Sequence, residues 1–144
     1  MSIWFGEPQV EWANSRSEGT ALRALGIEMT EITETSLKGR MPVDGRTRQP
    51  GGVLHGGASV ALAETLASWG ATFTVDPAQF YCVGMEINAN HVRPIGEGWV
   101  FGEATPLTRG RTTQVWEIRI TQEDGKLVCI SRCTMAVLPK PSEY

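Results

Sequence analysis

The chain has 144 residues, of which 41% are hydrophobic and 20% charged, and its formal net charge is −3. This composition is ordinary for a globular protein and excludes a disordered chain, while the lack of a clustered Lys/Arg run argues against nucleic-acid binding. The length suits one domain, residues 1–144, with a core of its own.

The N-terminal stretch MSIWFGEPQVEW has no basic region followed by an apolar run, so we expect no signal peptide. No segment is apolar over the length that a bilayer requires. The three cysteines, Cys82, Cys129 and Cys133, cannot all pair, and a zinc site would need a fourth ligand that is not obvious in the sequence. We therefore expect a cytoplasmic protein with reduced, buried thiols, no metal and no membrane partner.

The first half of the chain predicts an arm, a hairpin, a loop and one long helix. Residues 1–20 mix aromatic and polar side chains, which suits an N-terminal arm or a short helix. The alternating runs GIEMTEI and SLKGRMPV, within residues 25–43, predict a β-hairpin, and the turn-rich residues 44–52 predict a loop. Ala58–Trp69 is rich in Ala and Leu without Gly or Pro, which predicts a helix buried on most sides with Gly70 as its C-cap.

The second half is strand-like throughout. Four runs predict strands that follow one another as a meander: Tyr81–Arg93, Trp99–Thr108, Arg111–Thr121 and Lys126–Leu138. The last run is apolar on both faces, which predicts a central strand. A single apolar helix needs a curved antiparallel sheet around it to bury its surface. The sequence therefore predicts an α+β fold, a long central helix wrapped by a sheet of five to six strands.

Glu64 is the one acidic residue in the predicted helix, and Ser68 lies one turn further along the same face. Partial burial favours the protonated form of a carboxylate and so raises its basicity, which suits a general base or a nucleophile. The alternative is a solvated or hydrogen-bonded helix residue.

The glycines of His55-Gly56-Gly57 open the backbone at the start of the helix. Unpaired N–H groups and the helix dipole at such a start suit an oxyanion of the kind that develops during acyl transfer. The alternative is an ordinary turn with a structural histidine.

Three stretches resemble one family of enzymes: GGVLHGGASVALAETLAS, VGMEINANHVRP and LTRGRTTQVWEI. They are similar to the phenylacetate-type group of aryl- and acyl-CoA thioesterases with the hot-dog fold. Within it, they resemble the 1,4-dihydroxy-2-naphthoyl-CoA thioesterases of menaquinone biosynthesis and the proofreading thioesterases of enterobactin biosynthesis. The resemblance, from Gly39 to Leu138, implies an acyl-CoA thioesterase without metal or bound cofactor, assembled as a homotetramer from two dimers.

The same resemblance implies roles for particular residues. Glu64 would attack the thioester or activate water against it, and Ser68 would help to place that water. Gln49 and His55 would hold the region of the thioester carbonyl, and the N–H of Gly56 would polarise its oxygen. A further set matches the positions that line the CoA portion in these relatives: Gly84, His91, Val92, Arg93, Pro94, Thr108, Arg109, Gly110, Arg111, Thr112 and Thr113.

Trp69 departs from the family, which carries smaller or more flexible apolar residues beside the acyl group. A bulky ring there would shorten or flatten an acyl pocket, although core packing is the simpler explanation. Arg93, Arg109 and Arg111 could bind the CoA phosphates through their planar guanidinium groups, or could be ordinary surface charges.

The spacing along the helix favours an active site shared between two subunits. Gly57 and Glu64 are seven residues apart, about 10 Å of helix rise, whereas a thioester carbon must lie about 3 Å from both the attacking atom and the oxyanion donors. Two helices related by a two-fold axis could supply one group each.

The leading hypothesis is a thioesterase for aromatic and also medium-chain acyl-CoA. The alternatives are a hot-dog 3-hydroxyacyl dehydratase or hydratase and a non-catalytic acyl-CoA sensor.

Overall fold

The structure, a computed structural model, describes residues 1–142. In chain order its elements are α1 (Val10–Ser15), α2 (Ala21–Leu25), β1 (Glu28–Ile32), β2 (Leu37–Val43), α3 (Gly56–Phe73), β3 (Phe80–His91), β4 (Gly98–Arg109), β5 (Thr113–Thr121) and β6 (Leu127–Pro139). Within these residues, no helix combines the length and the apolar character needed to cross a membrane.

The six strands form one antiparallel sheet in the order β1-β2-β4-β5-β6-β3. Helix α3 contacts the five strands from β2 to β6, so the sheet curves around it. The strand predicted over Arg111–Thr121 is confirmed as β5, and its alternate residues Trp116, Ile118 and Ile120 are fully buried in this core. The predicted α+β fold, a long helix wrapped by a curved sheet of five to six strands, is confirmed with six.

The prediction of a four-strand meander is wrong for its first strand. Strands β4, β5 and β6 do follow one another, but β3 pairs with β6 and ends the sheet. The last strand is central, as its two apolar faces predicted, because it lies between β5 and β3. The outer edge of β3 has no partner strand within residues 1–142, and Tyr81, Val83 and Met85 on this strand are exposed.

Helix α3 is longer at both ends than predicted. It begins at Gly56 and continues to Phe73, so Gly70 lies inside the helix and the C-cap prediction is wrong. Gly70 is required by packing instead, because a Cβ atom there would lie 2.8 Å from Cζ3 of the buried Trp116 ring. Because Gly70 has no side chain, α3 can approach β5 closely at this position.

Replacing Gly70 with alanine is therefore expected to destabilise the protein. Alanine favours the helix by about 1 kcal/mol, but forcing a methyl group against a fully buried ring costs about 1–3 kcal/mol. We expect a melting temperature lower by about 3 °C, the change that about 1 kcal/mol produces in a domain of this size. Gly45→Ala is the control, because its Cβ would meet no atom within 4 Å. A raised melting temperature for Gly70→Ala would show that helix propensity dominates.

Candidate active site

The start of α3 presents an unpaired backbone donor. His55 is the N-cap residue, and its Nδ1 accepts a hydrogen bond from the N–H of Gly57 at 2.8 Å. Its carbonyl accepts the N–H groups of Ala58 and Ser59 at 3.0 and 3.2 Å. Among residues 1–142, no acceptor takes the N–H of Gly56. Together with the positive end of the helix dipole, this N–H can bind a developing oxyanion.

A cleft beside this helix start, called the Gln49 cleft, has a volume of about 350 Å³. It is lined by Gln49, Val53, Leu54, Gly56, Ser59, His91, Val92, Arg93, Pro94 and Val128. The His91 ring packs against Gly56 so closely that a Cβ at Gly56 would lie 2.7 Å from its Nε2. The side-chain oxygen of Gln49 accepts the N–H of Gly51. The fold thus brings together Gln49, Gly56 and the run 91–94, which the sequence predicts to contact different parts of the substrate.

The carboxylate of Glu64 lies in a second, open depression of about 320 Å³, called the Glu64 pocket. Its lining residues are Leu22, Ala61, Glu64, Thr65, Ser68 and Trp69. Oε1 of Glu64 lies against the backbone of Gly84 on β3, where any side chain would overlap it. Glu64 is half-buried, and no group in residues 1–142 forms a hydrogen bond or ion pair with it. The carboxylate can therefore act on a bound molecule or on water.

Ser68 lies one turn beyond Glu64 in the same pocket. The only hydrogen bond of its hydroxyl within the described part of the chain is a weak one to the Met135 sulfur at 3.9 Å, so this hydroxyl can bind water. The nearby Cys133 is buried, and its burial, followed by the charges of Glu64 and Glu86, raises the pKa of its thiol to about 12. Cys133 therefore stays protonated and does not compete as a nucleophile.

The two clefts are separate in one chain. Gly56 and Glu64 are eight residues apart on α3, which corresponds to about 12 Å of helix rise. No residue lines both the Gln49 cleft and the Glu64 pocket. One chain thus carries the predicted oxyanion donor and the predicted carboxylate in two separate clefts.

The predicted CoA-lining run 108–113 lies far from His91–Pro94. It forms the connection between β4 and β5, where Gly110 donates to the carbonyl of Thr113 at 2.8 Å and Arg109 to that of Ile3 at 3.2 Å. Thr113 pairs with Ala136 on β6, whereas His91 pairs with Cys129 on the same strand. Cys129 and Ala136 are seven positions apart on β6, so the two regions lie about 23 Å apart along this strand. A single chain does not bring them to one site.

Trp69 has both of the roles that the sequence left open. It lines the Glu64 pocket, and its ring also packs against Trp12 and Phe73 at centroid distances of 5.4 and 5.5 Å. Two residues of the N-terminal segment at this pocket were not predicted: Leu22, which lines it, and Trp12, which packs on Trp69. The only signal for Trp12 in the sequence was the presence of aromatic side chains within residues 1–20.

No group of three or more His, Cys, Asp or Glu side chains within residues 1–142 is arranged to hold a metal ion. Glu86 lies exposed on β3 and accepts a hydrogen bond from Asn88 at 3.0 Å.

Residues 51–129 match the family model of the thioesterase superfamily. The chain is 46% identical over 136 residues to the 1,4-dihydroxy-2-naphthoyl-CoA hydrolase of Escherichia coli, covering 94% of this chain and 99% of that protein. It is also 46% identical over 136 residues to the proofreading thioesterase EntH of Cronobacter turicensis, covering 94% and 98%. The crystal structure of a mutant thioesterase from Pseudomonas aeruginosa superposes with a TM-score of 0.95 at 47% identity, covering 96% of this chain and 100% of that one.

Proposed function

Because the chain belongs to the thioesterase superfamily and is a thioester hydrolase with the hot-dog fold, we propose that it hydrolyses aromatic and also medium-chain acyl-CoA, with Glu64 as the catalytic carboxylate. The observation that carries this proposal is the unpaired carboxylate of Glu64 in a pocket that the Trp69 ring bounds. A flat aromatic acyl group suits such a wall. The relative from Escherichia coli, by its name, acts on an aromatic acyl-CoA.

Two routes use the same groups. In the first, Glu64 takes a proton from water as the water oxygen attacks the thioester carbon. In the second, the carboxylate itself attacks, and water then hydrolyses the resulting anhydride. In both, the carbonyl oxygen becomes an oxyanion that the N–H of Gly56 and the dipole of α3 stabilise, and the C–S bond breaks to release CoA as a thiolate. Neither route uses a metal or a bound cofactor.

We further propose that the active site is shared in a homodimer. The outer edge of β3 is free to pair with the β3 of a second copy about a two-fold axis. Glu64 lies against Gly84, and Gly56 lies against His91. Strand β3 therefore borders both half-sites of the proposed active site, the Glu64 pocket and the Gln49 cleft. Antiparallel pairing centred near Asn88 would place Gly84 opposite the partner subunit's His91. Glu64 would then face Gly56 of the partner subunit.

The remaining expectations extend this proposal. Gln49 and His55 would hold the carbonyl region, and Ser68 would place water. CoA would be lined by Gly84 and by the runs 91–94 and 108–113. Because the two runs lie far apart within one chain, they would come from different subunits, and a homotetramer would supply all of these residues. A cytoplasmic location and a role in menaquinone biosynthesis or in proofreading stay predictions. No observation favours the hydratase or the sensor, and the relatives named above are hydrolases.

An acyl-CoA panel tests the proposed function. Thiol release from benzoyl-, decanoyl- and palmitoyl-CoA is followed with a thiol reagent, and hydration of crotonyl-CoA is measured alongside. We expect the highest kcat/KM for benzoyl-CoA and no hydration. Absence of benzoyl-CoA hydrolysis would overturn the aromatic proposal, and rapid hydration of crotonyl-CoA would favour the hydratase.

Trp69→Val is expected to enlarge the Glu64 pocket. The smaller side chain should raise the ratio of kcat/KM for palmitoyl-CoA to that for benzoyl-CoA by about 10-fold or more, the scale of a small change in an apolar pocket. Because Trp69 also packs on Trp12 and Phe73, the melting temperature is measured in parallel. An unchanged ratio in a folded variant would leave Trp69 with a packing role only.

A further inference from the structure

Three aromatic rings, Trp12, Trp69 and Phe73, form a wall along one side of α3. Trp12 meets Trp69 edge-on at 5.4 Å, Trp69 meets Phe73 at 5.5 Å, and Trp12 meets Phe73 at 6.4 Å between ring centroids. Two of the rings belong to α3, whereas Trp12 comes from helix α1 of the N-terminal segment. The N-terminal segment lies outside the region that carries the family resemblance. The aromatic wall therefore connects this segment with the proposed acyl pocket.

An apolar groove, called the arm groove, lies on the other side of this wall and has a volume of about 490 Å³. Its lining includes Phe5, Trp12, Thr72, Phe73 and Val75. Glu64, Ser68 and Thr72 follow one another at four-residue spacing, so they share one face of α3. Ser68 lines the Glu64 pocket and Thr72 lines the arm groove, so the groove begins about one turn, or about 6 Å, beyond the pocket.

Helix α1 is anchored, so the position of Trp12 is defined. The side chain of Asn14 donates to the carbonyl of Met29 at 2.8 Å and accepts its N–H at 2.9 Å. The Arg16 guanidinium lies over the Trp12 ring at 4.7 Å. Trp12 is nevertheless 48% exposed, which is high for an indole. Only Trp69 and Phe73 are in ring contact with it on the side of α3.

We propose that Trp12 sets the upper size limit of the acyl group, by holding the Trp69 ring in place as the end wall of the Glu64 pocket. The inference rests on the proposed function, in which the acyl group occupies that pocket. Without Trp12, the Trp69 ring gains room to turn toward the arm groove, whose apolar lining then receives the far end of a longer acyl chain. Trp12 is thus a positioning residue that acts through Trp69.

Trp12→Ala tests this inference in the full chain. The ratio of kcat/KM for palmitoyl-CoA, kept below its micellar concentration, to that for benzoyl-CoA should rise by about 10-fold or more. The change should appear as a lower KM for palmitoyl-CoA, while kcat for benzoyl-CoA stays near the wild-type value. Trp12→Phe keeps a ring against Trp69 and should restore the wild-type ratio, a rescue that a general loss of stability would not show.

A second substitution asks whether the arm groove receives the chain. Val75 lines the groove but not the Glu64 pocket, so Val75→Trp alone should leave the ratio unchanged. In the double variant with Trp12→Ala, the new indole should fill the groove and cancel the gain. If Trp12→Ala does not fold, Trp12→Leu takes its place in both experiments. If Trp12→Ala hydrolyses benzoyl-CoA but leaves the ratio of kcat/KM for palmitoyl-CoA to that for benzoyl-CoA unchanged, this inference alone is overturned. If the wild-type protein does not hydrolyse benzoyl-CoA, the proposed function is overturned.

Discussion

Replacing Glu64 with alanine is expected to lower turnover of benzoyl-CoA about 10²–10⁴-fold, the range for the loss of a positioned acid–base group. The carboxylate is half-buried, lies against Gly84 and has no partner within residues 1–142. Its removal therefore breaks no hydrogen bond or ion pair within the described chain, and the melting temperature should change little. Initial rates of thiol release under saturating substrate give the measurement.

Two controls separate chemistry from shape. Glu64→Gln preserves the size of the side chain but not its basicity, and should lose as much activity as Glu64→Ala. Glu123→Ala removes an exposed carboxylate between β5 and β6 and should keep full activity. A single turnover in water labelled with heavy oxygen then tests for the anhydride. Label in the Glu64 carboxyl marks the anhydride route, because only an anhydride that water opens at its Glu64 carbonyl places the label there, whereas label confined to the acid product excludes that opening. Near wild-type activity of Glu64→Ala would refute both routes.

Complementation between two inactive variants is the second large effect that we expect. His55→Ala removes the side chain that caps α3 and holds the N–H of Gly57, and should be nearly inactive, as should Glu64→Ala. Co-expressed with different tags, they form a mixed dimer in which one site carries both substitutions and the other carries neither. This dimer should recover about half of the wild-type activity, because one of its two sites is intact.

The control for complementation is a mixed dimer in which both subunits carry Glu64→Ala under the same two tags, and it should stay inactive. If His55→Ala alone keeps substantial activity, Gln49→Ala, from the same half-site, replaces it. A mixed dimer as inactive as its parents would mean that both residues act within one chain, and the shared site would be wrong.

Much of the candidate site could be predicted from the sequence, because its chemistry lies in short, contiguous stretches. The His55-Gly56-Gly57 turn and Glu64 both fall within one helix, and the helix start does present an unpaired N–H. The sequence could not show that Trp12 packs on Trp69, since 57 positions of chain separate them and no local pattern links them. It also could not place the run 108–113 at the end of the sheet opposite His91.

The sequence by itself determined the elements whose signals are local: the apolar helix around Glu64 and the alternating runs that form the β1-β2 hairpin. Helix propensity and side-chain alternation depend on residues a few positions apart. Only the tertiary structure decided the partner of β3 and the role of Gly70. Strand order and close packing depend on surfaces that meet after the chain has folded, as Trp116 meets Gly70 from 46 positions away.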